Sequence, residues 1–140
     1  EGDFLEYAEV HGNLYGTSWQ RVEEVFLKGD SVLMDVDVQG ARLIRSVLET
    51  GEKGQRMKPC FHDVFISPPS LEALRDRLES RDQDAREVIE RRLRNAAEEM
   101  KDADRYEFQI VNDDLDEAFD QLRSVYVACR LRTLPKKVGS

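Results

Sequence analysis

Ser31-Val32-Leu33-Met34-Asp35-Val36-Asp37 is a compact apolar run that ends in two carboxylates, and its reading decides the fold. Such a run predicts a buried strand whose last residues reach solvent. Beyond Gly40, the residues Ala41, Ile44, Val47 and Leu48 recur at helical spacing, which predicts a helix that Gly51 ends. Upstream, Trp19, Val22 and Phe26 mark a short amphipathic helix with Ser18 as its N-cap and Gly29 as its stop. Downstream, the stretch from Glu52 to Pro59 has no period and reads as a loop. Asp63-Val64-Phe65-Ile66-Ser67 is a second buried strand closed by Pro68-Pro69, and Ser70 caps a helix carrying Leu71, Leu74 and Leu78. After a polar break, Asp84 with Glu87 forms a capping-box-like start to a helix carrying Ile89, Leu93, Ala96, Ala97 and Met100. Phe108-Gln109-Ile110-Val111 is a third strand. Asp114 with Glu117 then opens a last helix expected to bury Leu115, Phe119, Leu122 and Tyr126, and the tail after Leu134-Pro135 is expected to fray. The alternation of strands and helices predicts an α/β fold, a parallel sheet with helices on both faces. In such sheets ligands sit at the C-terminal strand edge, where Asp35 and Asp37 fall.

Composition narrows the classes of function. At 140 residues the chain is long enough for one domain, since a domain of this size buries roughly 70% of its unfolded surface. Lys and Arg number 21 against 29 Asp and Glu, a net charge of −8, so the overall field repels nucleic-acid polymers and anionic membranes. A hydrophobic share of 40% is too large for a disordered acidic chain. No apolar run approaches the roughly twenty residues of a membrane span. Cys60 and Cys129 stand far apart, and His11 and His62 do not cluster with them. A cytoplasmic chain with no metal site built of protein ligands is the expectation. The opening Glu1-Gly2-Asp3-Phe4 has no initiator Met and no signal-peptide pattern, and reads as the start of a fragment.

Three constellations bear on chemistry. In Asp35-Val36-Asp37, residues i and i+2 of a strand share a face, so two carboxylates stand side by side. Close like charges need a cation, a magnesium hydration shell or the N–H donors of a base, or else they cap the next helix; both alternatives are open on the pattern alone. Between Arg75 and Arg94 arginines alternate with acids. Glu87 with Arg91 and Glu90 with Arg94 are i, i+4 pairs that need no function. Arg77 and Arg81 are like charges at i, i+4, an arrangement that calls for an anion between them or for neighbouring acids. The third is Glu6 with Tyr15 and Thr17, around the turn-rich stretch His11 to Ser18. A carboxylate can accept hydrogen bonds from both N1–H and N2–H₂ of guanine, whereas adenine offers no such paired donors on that edge. No Gly-x-x-x-x-Gly-Lys-Ser/Thr loop occurs, so the cradle for a triphosphate is expected outside these residues. No Ser/His/Asp or Cys/His arrangement supports covalent hydrolysis.

Phe4-Leu5-Glu6-Tyr7-Ala8-Glu9-Val10-His11-Gly12-Asn13-Leu14-Tyr15-Gly16-Thr17, Asp35-Val36-Asp37-Val38-Gln39-Gly40, Ser67-Pro68-Pro69-Ser70, Arg77-Leu78-Glu79-Ser80-Arg81 and Val111-Asn112-Asp113-Asp114-Leu115 together resemble the guanylate kinase family, in order and nearly throughout. The resemblance begins part-way through the family's domain. It implies the nucleoside-monophosphate-kinase fold of the P-loop NTPase type, with the N-terminal strand and phosphate loop missing. It also implies transfer of a phosphoryl group from ATP, with Mg²⁺, to GMP. Glu6 and Thr17 resemble guanine-reading residues, assisted by Asp37, and Tyr15 resembles a ligand of the GMP phosphate. Asp35 resembles the residue near the Mg²⁺ and phosphate region. Arg77, Arg81 and Arg92 resemble arginines of a lid that closes over ATP and the migrating group, and Asn112 falls where the family contacts adenosine.

On this resemblance residues 1–20 are the remainder of a GMP-binding lobe, 21–71 core, 72–101 the lid region, 102–134 the closing strand and helix, and 135–140 a tail. Ser80-Arg81-Asp82 departs from the family's Gly-Arg-Gly, and the connection from Glu49 to Phe61 is longer than is typical of it. The stretch by itself is expected not to turn over. A guanylate-kinase-like module that binds phosphorylated protein segments is the alternative. A homodimer or swapped oligomer is a third, because the sheet lacks a neighbouring strand.

Overall fold

A computed structural model of the chain describes residues 4–10, 13–80 and 85–132, with the backbone alone for residues 4, 6–10 and 13–15. The chain divides into two compact units, Glu1–Phe61 and His62–Ser140.

In the first unit, strands β1 (Phe4–Val10) and β2 (Asn13–Ser18) form an antiparallel hairpin. The stretch expected to be turn-rich is therefore a strand from Asn13 onward, and His11 and Gly12 lie outside the described residues. The register slips once. Phe4 pairs with Ser18 and Glu6 with Thr17, which leaves Leu5 as an extra residue in β1, and Leu5 is buried. Helix α1 (Trp19–Leu27) starts where the Ser18 hydroxyl accepts the Arg21 N–H at 3.3 Å, as its pattern predicts, and stops just before Gly29 at φ +80°.

The run Ser31 to Asp37 forms no strand among the described residues, against expectation. Its exposure alternates: Val32, Met34 and Val36 pack on the core, while Leu33, Asp35 and Asp37 face outward. Period-two alternation is the mark of an extended segment, but without a hydrogen-bonded neighbour such a segment has no ladder to join. Helix α2 (Val38–Leu48) follows and packs on β1. Leu5, Trp19, Val22, Ile44 and Leu48 form the buried core of this unit.

Residues expected to loop instead form helix α3 (Gly51–Met57), continued by a 3₁₀ turn at Lys58–Cys60. Its second glycine explains the discrepancy. Gly54 is buried, and a Cβ there would run into the backbone carbonyl oxygens of Val47 and Leu48 on α2. A glycine that suggests a flexible loop in sequence is here a point of close helix–helix approach.

In the second unit, β3 (Val64–Ser67) and β4 (Phe108–Val111) pair in parallel, from Val64 with Phe108 to Ser67 with Val111. Phe65 is buried and meets Tyr106 edge-on, centroids 5.1 Å apart. Helix α4 (Leu71–Glu79) is capped by the Ser70 hydroxyl, which accepts the Ala73 N–H at 3.0 Å. It packs on α5 (Arg86–Glu99), with Leu78, Ile89 and Leu93 buried together. The N-cap of α5 is Ala85, which makes no side-chain cap bond; Asp84, the expected cap, lies outside the described residues. Glu90, expected to pair along its own helix, reaches Arg75 on α4 at 2.7 Å.

Helix α6 (Leu115–Leu131) begins as predicted, Asp114 accepting the Glu117 N–H at 2.9 Å, but presents a different face. Ala118 is buried and Leu122, Val125 and Cys129 are half-buried, whereas Leu115, Phe119 and Tyr126 are exposed. The packed stripe shares Leu122 with the expected one and is turned from it by about 60° on a helical wheel. The helix is apolar on both stripes, so periodicity alone does not choose between them. At the other end of the sheet His62 Nδ1 lies 2.7 Å from Glu107, which also holds Arg132 of the α6 terminus at 3.2 Å.

Candidate functional site

Expected site residues gather in two places, one in each unit. In the first unit the hairpin ladder sets Glu6 opposite Thr17 and Ala8 opposite Tyr15. Glu6 and Thr17 thus share one rung of a two-stranded ribbon, and Tyr15 stands two rungs further along it. The strand bearing Glu6 packs on α2, whose N-cap is Asp37. Asp37 Oδ1 accepts the Gly40 N–H at 2.7 Å, so this carboxylate does cap a helix, as one of the two open alternatives required. Asp35 stands on the same exposed side of the preceding segment.

In the second unit a cavity of about 260 Å³ opens at the C-terminal ends of β3 and β4. Ser67, Pro68, Leu74, Arg77 and Asn112 are among its lining residues. Its polar rim is fixed by short bonds. The Asn112 N–H reaches the Ser67 carbonyl at 2.8 Å, and the Arg77 guanidinium donates to the Asn112 carbonyl at 2.6 Å and the Asp113 carbonyl at 3.0 Å. Arg77 also lies 3.7 Å from the Asp113 carboxylate. The like-charge pair expected of Arg77 and Arg81 therefore resolves, on the Arg77 side, into carbonyls and an acid. Arg81 lies outside the described residues. Arg92 is exposed on α5 and does not line the cavity.

Two lining features escaped the sequence pattern. Pro68 reads there only as a strand terminator and Leu74 only as a core residue; a strand ending in Ser-Pro-Pro at a sheet's C-terminal edge is the signal that could have found them. Behind the cavity, α4 is tied to α5. The Arg75 hydrogen bond, and then its charge, holds the Glu90 carboxyl below the usual carboxylate range. Glu72 at the start of α4 is likewise lowered, first by a bond from its own backbone N–H and then by the Ser70 hydroxyl. Cys129 is pushed up by burial, with the Glu107 charge adding to it.

Among the described residues no group of three or more His, Cys, Asp or Glu side chains is placed to hold a metal ion, and no helix is long and apolar enough to cross a membrane.

Comparison with known proteins places this geometry. The protein-family model described as Guanylate kinase matches residues 1–128. A curated guanylate kinase of Hahella chejuensis is 47% identical over 137 residues, 98% of this chain and 61% of that protein. One of Nitratidesulfovibrio vulgaris is 46% identical over 126 residues, 90% of this chain and 56% of that protein. The crystal structure of guanylate kinase from Anaplasma phagocytophilum superposes with a TM-score of 0.68 at 32% identity, over 94% of this chain and 58% of that one. The chain thus spans roughly three-fifths of the length of the relatives it matches, and its architecture is that of an α/β nucleotide kinase.

Proposed function

The chain belongs to the guanylate kinase family, and from that premise we propose that the whole protein transfers the γ-phosphoryl group of ATP to GMP. A GMP phosphate oxygen attacks the γ-phosphorus, the bond to the β,γ-bridging oxygen breaks, and ADP leaves as GDP forms. No covalent intermediate is needed, so the protein's work is to position two nucleotides and spread positive charge over the migrating group.

The observation that carries this reading is the hairpin register. It sets Glu6 opposite Thr17 on a ribbon packed against the helix that Asp37 caps. Glu6 would accept from guanine N1–H and N2–H₂, with Thr17 beside it. Asp37 has one oxygen engaged by Gly40, which leaves the other for the base. Tyr15, two residues along β2 from Thr17, would donate its hydroxyl to the GMP phosphate. In the second unit the cavity beside Asn112 suits the adenosine side of ATP. Arg77 is held there by two carbonyls and keeps further N–H donors for phosphate oxygens, with Arg81 and Arg92 as the other lid cations.

A Mg²⁺ ion that arrives on the nucleotide keeps most of its water and takes one or two carboxylates, a role that the exposed Asp35 fits, while Asp37, exposed as well, has one oxygen engaged in capping α2. When bound the ion neutralises phosphate charge.

Calorimetry with GMP, AMP and a phosphorylated peptide tests the reading on this chain. GMP is expected to bind in preference to AMP, and Glu6→Ala to abolish it. Equal affinity for AMP, or a phosphopeptide bound indifferently to that substitution, would refute it.

A further inference from the structure

Helix α3 has no part in the site as proposed, yet it is fastened on two sides. Towards α2 it approaches so closely at Gly54 that no side chain fits. Towards α1 it sends Lys53 and Arg56 to the same carboxylate, Glu23, at 3.1 and 3.5 Å. The Lys53 ammonium also lies over the Trp19 ring, 5.4 Å from its centroid. Trp19 is the first residue of α1 and follows directly on Ser18, the last of β2, so this contact grips the joint between hairpin and helix. Met57 of α3 and Phe61 beyond it pack on the core that Trp19 shares with Leu5, the extra residue of β1. A single short element thus touches α1, α2 and the core to which β1 contributes Leu5.

We propose that α3 is a brace that fixes the hairpin on α2, with Lys53 and Gly54 as positioning residues for Glu6, Tyr15 and Thr17. The ring contact and the ion pair meet at one ammonium and both partners stand on α1, which follows directly on β2, so the brace holds the hairpin through α1. The close approach at Gly54 sets how near the brace stands to α2. Lys53 touches no nucleotide; it acts through Trp19. The inference rests on the GMP reading for its functional consequence, but the mechanical part stands by itself.

Three variants of this chain, Lys53→Ala, Lys53→Arg and Gly54→Ala, test it by GMP calorimetry and amide hydrogen exchange. Lys53→Ala is expected to weaken GMP binding by about two- to fivefold, the worth of a partly exposed cation–π contact. Lys53→Arg is expected to restore it, because a guanidinium keeps both the carboxylate and the ring. Lys53→Ala and Gly54→Ala are both expected to speed exchange across residues 4–18 while residues 62–132 exchange as in the wild type. Unchanged GMP affinity in both variants overturns the proposal, and so does exchange that rises equally in both units. If the wild-type chain takes up no GMP, the functional reading fails separately. The exchange of residues 4–18 in Lys53→Ala still decides the brace, and no change there overturns it.

Discussion

The two units use their apolar residues differently. In the first, Leu5, Trp19, Val22, Ile44 and Leu48 converge from a hairpin and two helices, and Ile44 keeps only 2% of its surface. In the second, Leu78, Ile89 and Leu93 form a smaller buried cluster, while Leu115 and Phe119 of α6 remain 72% and 62% exposed. The hairpin therefore stands on a packed base, whereas the cavity at the strand ends is shaped by polar bonds, those of Arg77 and Asn112 above all. A substitution's cost should follow which kind of support it removes.

The sharpest test removes the base itself. Ile44→Ala is expected to destabilise the first unit by about 2–5 kcal/mol, the usual cost of truncating a fully buried Ile, read by thermal or urea unfolding. A loss under about 1 kcal/mol would mean that this core is looser than its burial indicates. Next comes the cap. Asp37→Ala should cost about 1 kcal/mol by the same measurement, since the Gly40 N–H loses its acceptor, and Asp37→Asn should recover most of it.

The polar ties of the second unit are weaker and depend on pH. The folded Glu90 carboxyl is held below its ordinary value, so its contribution is complete above the unfolded value of about 4.3 and fades as pH falls through the folded one. The stability gap between wild type and Glu90→Gln should narrow on acidification from about pH 7 to about pH 3, and a widening gap would break the assignment of Arg75 as its partner. Smallest of all is the exposed stripe. Phe119→Ser should change the stability of this chain by no more than about 0.5 kcal/mol, because little surface is removed from water there. A loss of several times that would show Phe119 packed in solution, and the contrast between the units would disappear.

Local signals were legible wherever one residue type has one strong use. Ser18, Ser70 and Asp114 cap helices because their side-chain oxygens fit a free N–H, and all three do so where the pattern places them. The strands at residues 64–67 and 108–111 were equally plain, and their parallel pairing followed from the intervening helices. What was hidden depends on partners far along the chain. Ser31 to Asp37 has a strand's composition but no ladder neighbour, and Gly54 is read correctly only once α2 lies against it. The Glu6 and Thr17 pair could be named from the family resemblance, yet the hairpin that sets them opposite each other lay in a stretch that reads as turns. Likewise the carbonyl bonds of Arg77 join residues 35 and 36 positions apart, which no local periodicity encodes.

The slip in β1 has a consequence for how this protein can change over time. Because Leu5 is surplus to the rungs, packing and the proposed base contact of Glu6 fall on adjacent but separate letters of the chain. Exchange of Leu5 for another bulky aliphatic would alter the packing and leave Glu6 across from Thr17. The interior and the proposed base contact can thus vary independently.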